Sequence, residues 1–178
     1  MDEIALQAGF SKATIYQYFE TKDNLYFTLM VPVIESIGKE MDKIEERLVG
    51  DQLTSGARLI QEIFNAFYKC YENGPDRFRL FQLFQQSGLV WQLNDHMRVI
   101  LRDKGKYNFD IIRRLIHIAK KKRLIKEFDA YELTDLLWGM FVGIIQLIES
   151  KSDNKNTKYL KPTLKLAEKI VIDATSIN

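Results

Sequence analysis

The stretch that decides the fold is DEIALQAGFSKATIYQYFETKDNL, residues 2–25. Its pattern predicts a short helix, a glycine turn, a second short helix and the start of a third. Gly9 permits a turn conformation that a side chain would oppose. Ser11 and Thr21 are residue types that cap helix N-termini. This order and spacing are typical of a helix-turn-helix DNA-reading unit.

In such a unit the second helix enters the major groove, so the first must pack closely behind it. Ala5 and Ala8 would keep that contact tight, and Ile15 and Phe19 would face inward. Glutamine can pair with adenine edges, while lysine, threonine and tyrosine can hold phosphates. The residues expected to face outward toward DNA are Ser11, Lys12, Thr14, Gln17, Tyr18 and Lys22.

Thirteen positions of this segment resemble, in register, the TetR family of bacterial regulators. The matching residues are Ile4-Ala5, Ala8-Gly9, Ser11-Lys12, Thr14-Ile15-Tyr16, Tyr18-Phe19, Lys22 and Leu25. The resemblance implies that four side chains touch the DNA backbone, namely Thr14, Tyr16, Tyr18 and Lys22. It also implies that Lys12 and Gln17 read bases. A helical hairpin that serves only for packing is the alternative interpretation of the same residues.

Members of that family carry another helix before this unit, so we expect the natural protein to have one ahead of Asp2. The charge distribution agrees with this expectation, because residues 1–48 hold five Lys/Arg against nine acids, whereas residues 98–126 hold eleven against two. A leading basic helix would correct the acidic balance of the DNA-reading end. We therefore divide the chain into a helix-turn-helix unit without its first helix, 1–26, and a ligand-binding and dimerisation domain, 27–178.

The remaining sequence predicts an all-α protein, since helix-forming residues dominate and no alternating strand pattern occurs. The predicted helices run from Thr21 to Leu48 with a kink at Pro32, from Thr54 or Ser55 to Asn73, over 76–86, over 94–123 with an interruption near Gly105, from Asp129 to Ser150, and from Thr157 or Pro162 to Thr175. A polar loop is expected over 151–156.

Composition excludes several classes of protein. One cysteine, Cys70, rules out an internal disulfide and fits a reducing cytosol; on the edge of an apolar stripe it is expected to be buried. The start lacks a signal peptide, and the longest apolar run, 136–148, is shorter than the ~20 residues of a spanning helix. His96 and His117 have no neighbours at metal-ligand spacing. We expect a soluble cytoplasmic protein without metal, cofactor or catalytic residues.

Aromatic residues crowd the middle of the chain, which suggests either a pocket for an apolar or aromatic ligand or an ordinary core. The family resemblance favours the pocket, because its members commonly bind an inducer among these helices. The residues assigned to it are Phe64, Phe67, Tyr68, Tyr71, Phe81, Phe84, Trp91, Trp138 and Phe141.

The last two helices are expected to carry the contact between two copies. Gly139 and Gly143 lie one turn apart and let another helix approach closely. The resemblance implies a four-helix dimer contact, formed by Gly139, Gly143, Leu147, Leu164, Ala167, Ile170 and Val171. A dimer also suits a palindromic operator.

The leading hypothesis is a homodimeric transcriptional repressor that a small apolar or aromatic ligand releases from its DNA operator. The ligand would shift the helix over 22–48, with Pro32 as a candidate hinge. A helical carrier or enzyme is a second hypothesis, and a DNA-incompetent dimerisation partner is a third. The basic run 120–123 could be a nucleic-acid patch or an anion site, but a solvated helix C-terminus is the preferred interpretation.

Overall fold

In a computed structural model of the chain, residues 1–151 and 158–177 are described, and these residues form helices and no β-strand. The all-α prediction is therefore confirmed. The helices are α1 (Asp2–Ala8), α2 (Lys12–Tyr18), α3 (Lys22–Val49), α4 (Gly56–Glu72), α5 (Pro75–Gln86), α6 (Asp95–Lys121), α7 (Ala130–Ser150) and α8 (Leu160–Thr175). A short 3-10 turn, Leu89–Gln92, joins α5 to α6.

The helix starts follow from capping residues that the sequence predicts. Gly9 ends α1 in the left-handed region, at φ 71° and ψ 21°. The Ser11 hydroxyl accepts the backbone N–H of Thr14 at 3.0 Å, and the Thr21 hydroxyl accepts that of Asn24 at 3.1 Å. Each bond satisfies an N–H that the first helical turn leaves without an intrahelical partner. The turn and both caps of residues 2–25 are thus confirmed.

Two details of the long helices differ from the prediction. The expected interruption of α6 at Gly105 is wrong, because α6 runs unbroken from Asp95 to Lys121. A mid-helix glycine costs only about 1 kcal/mol relative to alanine, which packing along the rest of the helix offsets. The other difference is the start of the last helix, which begins at Leu160 rather than at Thr157 or Pro162. Pro32 lies inside α3, as predicted. The predicted loop over 152–156 lies outside the described residues.

Helices α3 and α6 form the centre of the body and run parallel, because their paired residues rise in number together. Glu35 pairs with Lys104 at 2.7 Å, and Glu45 pairs with Arg114 at 2.8 Å. Beside the first of these ion pairs, the Asn108 side-chain amide donates to the carbonyl of Ile34 at 2.8 Å. The DNA-reading head, residues 2–25, is therefore joined to a helix that lies along the whole of α6.

The core lies between α3, α4, α6 and α7. Its fully buried side chains include Phe67 and Phe78 together with Leu115 and Phe141. Aromatic rings meet there at edge-on angles, as Phe78 and Phe141 do with centroids 5.8 Å apart. The carboxyl end of α8 contacts the α6–α7 connection, where the backbone N–H of Lys126 donates to the carbonyl of Thr175 at 2.9 Å.

One described helix, α7, is long and apolar enough, by length and composition, to cross a membrane. Of its most apolar stretch of 18 residues, 28% is buried inside the protein. A single such helix is weak evidence of a span, since core helices of soluble proteins meet the same criteria.

Candidate functional site

The head presents α2 to solvent. No residue of α2 is buried, and Ala5 is the buried residue of α1. Ile15 and Phe19 are half-buried, on the side of α2 opposite the solvent. Of the seven residues assigned to DNA contact, Thr14 is half-buried and the other six are exposed: Ser11, Lys12, Tyr16, Gln17, Tyr18 and Lys22.

One carboxylate competes for the positive charge of this surface. The Lys12 ammonium lies 3.0 Å from Asp2 on α1, and this hydrogen bond raises the pKa of Lys12. The ammonium also lies 6.0 Å from the centre of the Tyr16 ring. The sequence did not predict this contact, because Asp2 and Lys12 lie on different helices and helical periodicity relates only residues of one helix. A phosphate that binds Lys12 must displace this carboxylate or share the lysine with it.

A chain of contacts leads from the head into the body. The Lys22 ammonium lies 5.3 Å from the centre of the Tyr26 ring, one turn along α3. The Tyr26 ring meets Phe84 of α5 edge-on, with centroids 5.0 Å apart. Phe84 in turn lines a cavity. Three adjacent side chains therefore connect the cavity with the first turn of α3.

The cavity has a volume of about 660 Å³ and lies between α3, α5, the 3-10 turn and α6. This volume is in the range of small-molecule pockets. Its apolar lining consists of Met30, Ile34, Phe81, Phe84, Val90, Trp91, Val99 and Leu101. Its polar lining consists of Gln85, Asp95, Arg98, Arg102 and Lys106. Sequence reasoning missed the cations, although their spacing of four residues places them on one helix face.

The nine aromatic residues assigned to the ligand fall into three groups. Phe81, Phe84 and Trp91 line the cavity. Phe67 and Trp138 line a neighbouring space of about 30 Å³, which Phe81 also borders. The remaining four border neither space: Phe64, Tyr68, Tyr71 and Phe141. The spacing of aromatic residues along a helix could not separate these groups, because residues that face the core and residues that face the cavity recur at the same interval.

Tyr71 connects helices and does not line the cavity. Its hydroxyl donates to Glu149 of α7 at 2.7 Å, and Arg79 of α5 holds the same carboxylate at 2.8 Å. Burial, with the adjacent carboxylate, raises the pKa of Tyr71 to about 12. This cluster joins α4, α5 and α7 away from the cavity.

An apolar surface runs along the outer sides of α7 and α8. Gly139 and Gly143 are exposed, and a Cβ at either position would meet no atom within 4 Å. Leu147 and Ile170 are 51% and 54% exposed. Three other residues assigned to the dimer, Leu164, Ala167 and Val171, are buried against the protomer's own core. The exposed apolar residues of α8 are Leu166 and Ile170, and Tyr159 and Ile177 are exposed just before and just after the helix.

Cys70 is buried, as predicted, and burial raises the pKa of its thiol to about 11.

The basic run 120–123 makes contacts within the protomer. Lys120 pairs with Glu127 and donates to the carbonyl of Phe128, and Lys122 donates to the carbonyl of Leu48. These contacts support the solvated helix end rather than a nucleic-acid patch.

A helix-turn-helix head joined to an all-α body is an architecture found in DNA-binding proteins. Residues 1–29 match the model of one family, the bacterial regulatory proteins of the tetR family. The resemblance of residues 2–25 to this family is therefore confirmed for the amino-terminal segment. No protein of curated function matches the sequence.

Solved structures share the fold over nearly the whole chain. The TetR-family transcriptional regulator PfmR from Thermus thermophilus superposes with a TM-score of 0.74 at 12% identity, over 94% of this chain and 86% of that one. A protein assigned to the TetR family from Mesorhizobium loti gives 0.65 at 15% identity, over 99% and 86%. A Rhodococcus protein of unknown function gives 0.59 at 14%, over 94% and 81%. The family match and the fold support a DNA-binding transcriptional regulator.

Proposed function

We propose that the protein is a homodimeric, ligand-responsive transcriptional repressor of the cytoplasm, and not an enzyme. The observation that carries this proposal is the exposed outer face of α2, capped by Ser11, within the segment that matches the TetR family. The cavity behind Phe84 supplies a place for an effector. Effector and operator would then bind at separate sites that α3 connects.

At the operator, α2 of each protomer enters a major groove. Lys12 and Gln17 read base edges, since both side chains are exposed on α2. The phosphate contacts come from Ser11, Thr14, Tyr16, Tyr18 and Lys22. Lys22 is the first residue of α3, where unpaired backbone N–H groups add to its attraction for a phosphate.

The second copy would cover the apolar surface of α7 and α8. The glycines of α7 permit close approach because no side chain of the protomer's described residues fills the space beside them. Leu136, Leu147, Leu166 and Ile170 are all more than half exposed, and burying them would remove a large apolar area from water. Pairing through these helices would hold two heads at one fixed spacing.

Release of DNA requires that the ligand prefers one head spacing energetically. A ligand in the cavity would press on Phe84, and through it on Tyr26 and the first turns of α3. Pro32 is the candidate hinge, because it supplies no N–H to the Thr28 carbonyl and so weakens α3 between head and body. An equal release of DNA by ligand in Pro32→Ala and in the parent protein would exclude the hinge.

The direct test is binding of the full chain to DNA from upstream of its own gene, measured at several salt concentrations. We expect sequence-specific binding that weakens steeply with salt, because each phosphate contact releases counterions. Gln17→Ala should lose specificity, whereas Gln52→Ala, the same change at an exposed position on the body, should bind as the parent does. Binding that is absent at low salt, or indifferent to sequence, would overturn the proposal.

A further inference from the structure

The wall of the cavity that α6 contributes is cationic. Arg98, Arg102 and Lys106 follow one another at intervals of four residues, so they lie on successive turns of one face, about 6 Å apart along the axis. Asp95 is the one acid among the described lining residues. The opposite lining, from α3 and α5, is apolar except for Gln85: it contains Met30, Ile34, Phe81 and Phe84. The cavity is thus amphipathic, with a positive edge.

Two of these cations, Arg102 and Lys106, are less neutralised than others on the same helix. Lys104 and Arg114, which face α3, each have a glutamate across the helix interface, at 2.7 and 2.8 Å. On the cavity face Arg98 pairs with Asp95 and donates to the carbonyl of Trp91. Arg102 pairs, among the described residues, only with the adjacent Asp103, whose side chain is 59% exposed. Lys106 has no side-chain hydrogen bond or ion pair with any residue in 1–151 or 158–177.

We propose that the effector of this cavity is an amphipathic carboxylate. Its apolar chain or ring lies against Phe81 and Phe84, and its carboxylate binds Arg102 and Lys106 at the edge. Arg98 is neutralised by Asp95 and donates to the carbonyl of Trp91, so it forms part of the wall and does not bind the carboxylate. This assignment rests on the proposed function in one respect, that the cavity is the effector site. It adds a charge requirement to the apolar or aromatic ligand that the sequence predicts.

The test compares acids with neutral probes of equal shape, by calorimetry on the full chain below micellar concentrations. The pairs are decanoate with decanol, and naphthoate with naphthalenemethanol, so that chain and ring are distinguished. Decyltrimethylammonium is the cationic probe. We expect the acid of at least one pair to bind about tenfold or more tightly than its neutral partner, since charge-assisted hydrogen bonds are the stronger class. The cation should bind weakest.

Variants assign the preference to particular side chains. The double change Arg102→Gln with Lys106→Gln should abolish the preference for the acid and leave the affinity for the neutral probe within about twofold. Lys104→Gln is the matched control, because Lys104 lies on the same helix but pairs with Glu35. Neutral probes that bind as tightly as the acids, no binding by either acid, or a preference that survives the double change would each overturn the proposal.

Failure of this proposal is separable from failure of the proposed function. Operator binding is measured without ligand and does not involve Arg102 or Lys106. A protein that binds its operator but shows no preference for acids contradicts only the ligand class. One that prefers acids but does not bind DNA contradicts only the regulatory role.

Discussion

The ring of Tyr26 on α3 meets the ring of Phe84 on α5 at 5.0 Å and an interplanar angle of 62°. Edge-to-face pairs of this kind contribute about 0.5–1.5 kcal/mol beyond their buried area. One ring carries Lys22 of the head over its face, and the other lines the cavity. The pair is therefore where a change in the cavity would first reach the DNA-reading end of α3.

Tyr26→Leu should uncouple the two sites. Removing the ring leaves the cavity and α2 in place, so we expect ligand and operator each to bind within a few-fold of the parent affinity. The factor by which ligand weakens operator binding should fall toward one, from the roughly 5- to 150-fold range typical of coupled sites. Tyr68→Leu is the control, since Tyr68 borders neither cavity. Unchanged coupling in Tyr26→Leu would assign the connection to other contacts.

Asp2→Asn should strengthen operator binding. The substitution removes the carboxylate that holds Lys12 at 3.0 Å, so the ammonium becomes available to a phosphate or a base. We expect tighter binding and a plot of log affinity against log salt that is steeper by about one. Glu3→Gln removes the same charge from an exposed neighbour that does not hold Lys12, and it should change affinity less. Equal effects of the two variants would mean that only net charge matters.

Gly38→Ala should destabilise the protein by about 1–3 kcal/mol, the usual cost of overpacking. The added Cβ would lie 2.8 Å from the Asn108 Oδ1 atom. Asn108 cannot rotate away without losing its hydrogen bond to the carbonyl of Ile34. Gly105→Ala is the matched control in α6, where a Cβ meets nothing within 4 Å, and it should be neutral or stabilising. Urea denaturation measures both, and equal stability of the two variants would contradict the expectation.

Ile170→Glu should dissociate the proposed dimer. A charge on the exposed apolar stripe of α8 would be buried without a partner when two copies pair. Sedimentation should therefore detect monomers, and operator affinity should fall with the loss of the paired heads. Val49→Glu replaces a residue that is 60% exposed at the far end of α3 and should leave the assembly unchanged. A dimeric Ile170→Glu protein would place the interface elsewhere.

The Cys70 thiol should react slowly in the folded protein. Burial raises its pKa from 9.0 to about 11, so at neutral pH the folded chain holds about a hundredfold less thiolate than the unfolded chain. Alkylation should be slower by at least that factor than in urea. Because the folded state keeps a proton that the unfolded state loses, this group's contribution to stability decreases as pH rises from 9 to 11. Equal alkylation rates with and without urea would contradict the burial.

The sequence by itself determined the local structure of the head. Gly9, Ser11 and Thr21 specify the turn and two helix starts through backbone freedom and short side-chain hydrogen bonds, which act within four residues. The helices of the body could be predicted for the same reason, because periodic apolar residues and caps are local signals. The interruption at Gly105 was wrong since a weak local preference gave way to packing.

Only the tertiary structure decided which side chains meet. Tyr26 and Phe84 are 58 positions apart in sequence, and no periodicity connects them. Leu164 and Ile170 both fit an apolar stripe, yet one is buried in the protomer and the other faces solvent, because the rotation of α8 is set by α4 and α7. The cationic edge of the cavity arises in the same way. Spacing places Arg98, Arg102 and Lys106 on one face, and the packing of α3 and α5 decides what that face opposes.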